Sequence, residues 1–211
     1  MLRKGLEKMK RLLSFVFALL ILVGLGFTAF AQDDDEDEAR QKAVSFAVKQ
    51  LAKADPLTRQ RGAEELARIA DDSPKLLVEG YRVQEKDKRV RLALDWALYR
   101  MGNPNKIYDI AKELGTSRRN QATSYLVQLE QPELLYPFLR WDDKTLIGVL
   151  GVLASIGDEE SLIKIEPYTR VVNPEIVSSA KYARDEINKR LANPQPKKQT
   201  RPRAVEGTNP Q

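Results

Sequence analysis

The sequence predicts an all-α protein, and three observations carry that prediction. Apolar residues recur at helical spacing through the middle of the chain, no stretch alternates as a half-buried strand does, and Pro and Gly stand between most apolar runs rather than inside them. The predicted helices are "AVSFAVKQLAKA" at 43–54, "LLVEGYRV" at 76–83, "VRLALDWALYRM" at 90–101, "IYDIAKEL" at 107–114 and "TLIGVLGVLASI" at 145–156.

The chain starts outside that pattern. Arg3, Lys4, Lys8, Lys10 and Arg11 precede the apolar run "LLSFVFALLILVGLGFTAF", which ends in Ala29-Phe30-Ala31. A basic start, an apolar middle and an A-x-A end read as a secretory signal over residues 1–31, with Met1 or Met9 as its start. Residues 12–31 are also long enough to anchor the chain in an inner membrane if they are not removed. The whole chain has 35 Lys and Arg against 30 Asp and Glu, a net of +5. Five of those bases and one acid lie in residues 1–31, so the remainder carries only +1. That balance gives no basis for expecting nucleic acid as a partner, which calls for a clustered basic face.

With 0 Cys and 0 His, the chain lacks disulfides, a thiolate nucleophile, a lipidated N-terminal Cys and the commonest general base and metal ligand. The expectation is a protein that is not an enzyme, with no cofactor and no metal site.

Residues 32–38, "QDDDEDE", repel one another and read as an acidic linker; the spaced ligands and turn Gly of a Ca²⁺ loop are missing. Residues 193–211, with Lys197, Lys198, Arg201 and Arg203 among Pro and polar residues, read as a disordered basic tail. Between them, residues 39–192 make one domain of ordinary size, about 150 residues.

That domain repeats. "ELARIAD" at 65–71, "ALYRMGN" at 97–103, "YLVQLEQ" at 125–131 and "VLASIGD" at 152–158 share a Leu, an apolar residue three later and a small or polar break. The Leu positions are 66, 98, 126 and 153, at spacings of 32, 28 and 27. Four residues earlier stand Gly62, Leu94, Ala122 and Val149, on the same helix face as the Leu. Seven earlier stand Arg59, Arg91, Arg119 and Leu146; eleven earlier stand Asp55, Asp87, Gly115 and Asp142. A weaker fifth copy runs from Asn173 through Ala180 to Ile187. The breaks "DDSP", "GNPN", "EQPE" and "GDEE" resemble helix starts, so each period is expected to hold two helices.

The pattern D-x-x-x-R-x-x-A-x-x-x-L-x-x-h-G-D resembles HEAT repeats, in particular the short HEAT-like type of phycobilisome lyases and many bacterial proteins. The resemblance implies an α-α superhelix, an armadillo-like solenoid of about five helix pairs, but no single activity. It further implies that each Asp sits in the turn before the second helix, and that the Arg reaches back to such turns. Asp55, Asp87 and Asp142 with Arg59, Arg91 and Arg119 would then form a structural ladder. Arg118, beside Arg119, is left over and could bind an anion.

Trp96 falls two residues before the repeat Leu, where other copies have Glu64, Ser124 and Gly151. That position is expected on the exposed side of the second helix, which lines the concave face in the family. Trp96 with Arg100, flanked by Arg68 and Gln128, is the expected protein-binding surface; the alternative is that Trp96 packs across a unit junction. Trp141 and Tyr136 read as local packing. The pairs Asp71–Asp72, Asp142–Asp143 and Glu159–Glu160 sit at helix starts, where their charge favours the dipole, and do not read as catalytic pairs.

The functional expectation is an exported bacterial scaffold or adaptor, periplasmic or secreted, that binds another protein through its concave face. The alternatives are a lyase- or chaperone-like enzyme of the HEAT-like type, or a membrane-anchored accessory subunit of an envelope complex. Membrane contact is expected only if the N-terminal segment stays attached.

Overall fold

The computed structural model describes residues 36–193; the expected signal or anchor at 1–31, the first part of the expected linker at 32–35 and all but the first residue of the expected tail at 193–211 lie outside them. The described residues are all-α, with no strand among them, and none of their helices is long and apolar enough to cross a membrane. The chain divides at residues 45 and 46 into two compact units, inside a helix (α1) over residues 36–51. In the first unit, Glu36, Asp37 and Glu38, assigned above to a linker, are exposed and helical. Glu38 pairs with Lys42 one turn on, at 2.6 Å.

In the second unit, α2 (Pro56–Ile69) is followed by α3 (Lys75–Gln84), α4 (Lys88–Arg100) and α5 (Lys106–Lys112). After a 3₁₀ turn at Glu113–Gly115 come α6 (Arg119–Leu126) and a 3₁₀ segment at Pro132–Arg140. Then follow α7 (Asp143–Ile156), α8 (Glu159–Ile165), a 3₁₀ turn at Glu166–Arg170 and α9 (Pro174–Ala192). The second helices pack in chain order, α2 on α4, α4 on α6, α6 on α7 and α7 on α9. Each of the last four also packs on the element before it: α3 on α4, α5 on α6, 132–140 on α7 and α8 on α9.

The repeat positions explain this packing. Leu66, Leu98, Leu126 and Leu153 are fully buried, as are Leu94, Ala122, Val149 and Ala180 one turn earlier. Gly62 occupies that earlier position in the first copy because a Cβ there would lie 2.8 Å from the Ala47 carbonyl. Asp55, Asp87, Asp142 and Asn173 each cap the helix that follows by accepting backbone N–H groups of its first turn.

Two elements depart from expectation. "PELLYPFLR" forms a 3₁₀ segment instead of an α-helix, because Pro137 in its interior has no N–H and its ring would crowd the preceding turn. The third copy has no capping Asp, and α6 starts late, at Arg119, with no side-chain cap. Gly115 takes the Asp position there, and a Cβ on it would meet Thr145 Oγ1 at 2.6 Å, in the first turn of α7. Close packing of the next unit has displaced the cap. Of the four breaks, only "GDEE" supplies a side-chain cap, the reciprocal Asp158–Ser161 box at the start of α8.

Candidate functional site

The expected ladder is built differently from its prediction. Its aspartates are spent on helix caps, with Asp55 on Thr58 N and Oγ1 and Asp142 on Lys144 N, Thr145 N and Thr145 Oγ1. Its arginines bind carbonyls in the turn ahead of their own helix. Arg59 donates to the Lys53 and Ala54 carbonyls, Arg91 to that of Glu85, and Arg119 to that of Leu114. The links to the next copy are Arg59 gripping Glu85 with two bonds of 2.7 and 3.0 Å, and Arg119 donating to the Lys144 carbonyl at 3.2 Å. In the fourth copy Leu146 replaces the Arg and is buried. Arg190 of α9 reaches back to that copy, to the Ala154 and Gly157 carbonyls, a contact that no repeat offset announces.

Trp96 is 3% exposed, so the position expected on an open face is a covered one. Its ring stacks on Tyr125 of α6 and on Tyr99, each at a centroid distance of 5.5 Å, and the Arg100 guanidinium lies over it at 5.5 Å. The physical reason is that α2 and α6 meet across α4. The Tyr125 hydroxyl donates to Glu64 Oε1 at 2.6 Å, and Gln60 donates to the same oxygen at 2.8 Å. Gln121 donates to the Tyr125 hydroxyl and to the Arg89 carbonyl. Burial pushes the Tyr125 hydroxyl pKa far above its ordinary range, so the hydroxyl stays a proton donor. Burial also lowers that of Arg100.

The four expected contact residues therefore do not form one patch. Trp96 and Arg100 join the packed cluster, whereas Arg68 is exposed and pairs with Glu65 on its own helix. Gln128 is exposed and donates to the Ser124 carbonyl. Arg118 is not left over either; its Nε donates to Glu113 at 2.7 Å. Trp141 packs edge-on against Phe138, and the Tyr136 hydroxyl lies 3.0 Å from Ser161 Oγ.

An open groove lies further along the row of second helices. It has a volume of about 420 Å³ between α6, α7 and α9, and is lined by Thr123, Ile147, Gly148, Gly151, Ser179 and Tyr182. A hollow of about 440 Å³ continues it past Ile147 and Ser178 to Pro174. Tyr182 is 59% exposed, and a Cβ on Gly151 would meet nothing within 4 Å. Tyr182 is nine residues after Asn173 and thus occupies, in the fifth copy, the repeat position of Trp96. Extending the register into that weak copy is the signal that would have found it.

The other notable constellation surrounds Asp95, a buried carboxylate of α4. Arg82 of α3 grips it with bonds of 2.9 and 3.3 Å, and Lys106 of α5 stands 3.2 Å away. Lys106 and Arg82 also reach Asp109, at 3.0 and 3.5 Å. This network of paired charges ties three helices together. Among the described residues, no group of three or more acidic side chains is placed to hold a metal.

No protein-family model matches the chain, and no curated protein matches it.

Proposed function

We propose that this protein is an exported, HEAT-like scaffold that binds an extended segment of another protein and catalyses nothing. The binding surface is the groove of α6, α7 and α9 rather than the neighbourhood of Trp96. The observation that carries this reading is Tyr182, an aromatic ring standing exposed beside the open floor at Gly151. Interface anchors are enriched in Tyr, and a floor of Gly and Ser lets a partner backbone approach closely. Ile147 adds apolar area, while Thr123, Ser178 and Ser179 offer hydroxyls for main-chain hydrogen bonds. Chemistry is disfavoured because the sequence has no Cys or His and the buried carboxylate Asp95 is already held by two cations. The stacked helix pairs form a superhelix in this reading, and residues 1–31 direct the chain out of the cytoplasm.

A photoreactive residue placed at Tyr182 in the native cell tests this. A discrete protein adduct is expected from that position and not from Leu76, which is exposed on α3. The adduct should vanish when Gly151→Trp fills the groove. An adduct that survives Gly151→Trp, or that forms equally from position 76, overturns the reading.

A further inference from the structure

A second cleft, of about 240 Å³, opens between α3, α4, α5 and the Glu113–Arg118 segment. Arg82, Lys88, Arg91, Lys112 and Arg118 line it, against the acids Asp95, Asp109 and Glu113. Every one of those acids is satisfied from within the fold. Asp95 and Asp109 share Arg82 and Lys106. Glu113 accepts from Arg118 and from the Thr116 hydroxyl at 2.6 Å. Three cations are then left without a carboxylate among the described residues: Lys88, Arg91 and Lys112. Lys88 and Lys112 are exposed at the rim. The guanidinium of Arg91 is aimed at a neutral acceptor, the Glu85 carbonyl.

We propose that this cleft binds a compact oxyanion of the phosphate class, as a free ion or as the ester group of a small molecule. Two features select that chemistry. The surplus of positive charge on the cleft wall, five cations against three acids, favours a dianion over a monocarboxylate, since field lines concentrate in a low-dielectric cleft. The volume falls below the range of about 300–1,000 Å³ common for drug-sized ligands, which favours a small charged group. Arg118 gives the site a second guanidinium once the incoming anion competes with Glu113 for it, and forked donors of this kind match phosphate oxygens. The Arg82–Asp95–Lys106 network ties α3, α4 and α5 together, so the helices that carry Lys88, Arg91 and Lys112 are held in fixed relation.

Calorimetric titration of the full chain with inorganic phosphate and with glycerol phosphate, at constant ionic strength, tests the site. Saturable one-to-one binding is expected. Lys88→Gln with Lys112→Gln should weaken it about tenfold or more, through the loss of two charge-assisted contacts. Both side chains are exposed, so the melting temperature without phosphate should not move. Glu113→Gln should instead tighten binding by about threefold, since it frees Arg118 and removes a negative charge. A gain of affinity from that substitution is not what a purely structural Glu113–Arg118 pair would give. Tighter binding of the ester than of the ion identifies an esterified ligand, and equal binding identifies the free ion. The proposal is overturned by heats that do not saturate, by a double variant that binds like the parent, or by weaker binding in Glu113→Gln.

Discussion

Trp96 lies flat on Tyr125, with ring planes 2° apart and centroids at 5.5 Å, and this stack joins the second copy of the repeat to the third. A ring sandwiched this way is a core residue. Trp96→Ala is therefore expected to destabilise the domain by about 3–5 kcal/mol, close to the cost of about 2–5 kcal/mol for Leu98→Ala. Urea unfolding of the two variants decides the matter. A Trp96 variant as stable as the parent would return this residue to the surface.

Gly148 and Gly151 lie one turn apart on α7 and should respond in opposite directions to Ala. A Cβ at position 148 would stand 2.6 Å from the Leu114 Cβ and 3.0 Å from its carbonyl oxygen, whereas position 151 is open. Gly151→Ala should stabilise by about 0.5–1 kcal/mol through helix propensity. Gly148→Ala should cost about 1–3 kcal/mol through overpacking. Paired thermal melts are the check, and shifts of the same sign would refute the packing described for α7.

Ala70 closes α2 in the left-handed region, at φ 53°. The equivalent position in the second copy is Gly102, at φ 81°. Replacing Ala70 with Gly removes the Cβ that makes this conformation costly and is expected to stabilise the domain by about 1 kcal/mol. Equilibrium unfolding of Ala70→Gly would show otherwise if the variant were weaker than the parent.

Acid should loosen the helix starts. The Thr145 hydroxyl, followed by the Thr145 N–H, holds Asp142 below its ordinary pKa of 3.8, and Thr58 does the same for Asp55. Above 3.8 these carboxylates are ionised whether the chain is folded or not, and the full capping stabilisation is present. Below 3.8 the unfolded chain takes up the proton first, so stability falls with pH until the depressed folded pKa is passed. Asp142→Asn should consequently lose less stability than the parent between about pH 5 and about pH 2. Urea midpoints across that range measure it, and parallel curves would remove Asp142 from the acid response.

What could be read from the sequence was what repeats locally. The buried Leu row depends on offsets within one helix, which periodicity exposes directly; the same offsets marked Asp55, Asp87 and Asp142, but as partners of the arginines rather than as the helix caps they form. Pro137 lies inside a stretch expected as a first helix, and its effect on that helix was not anticipated. The face of Trp96 was misread because its burial depends on α2 and α6 converging over α4, which no single-helix pattern encodes. The same holds for the pairing of Arg82, Asp95 and Lys106 from three different helices. The row of exposed second-helix positions pointed toward a binding face, but the copy that retains an open aromatic there is the fifth, whose motif is the weakest.

The hydrogen bond from Tyr125 to Glu64 spans 61 positions and passes over an entire intervening copy. In a chain of units that touch only their immediate neighbours, evolution can insert or delete a unit and lose little more than one junction. Here the first and third copies hold hands above the second. Deleting the second would bring together surfaces that were never adjacent, and duplicating it would pull the bonded pair apart. The span from α2 to α6 is thus a closed triplet rather than an extensible row, and a change of length that spares this bond must fall outside it.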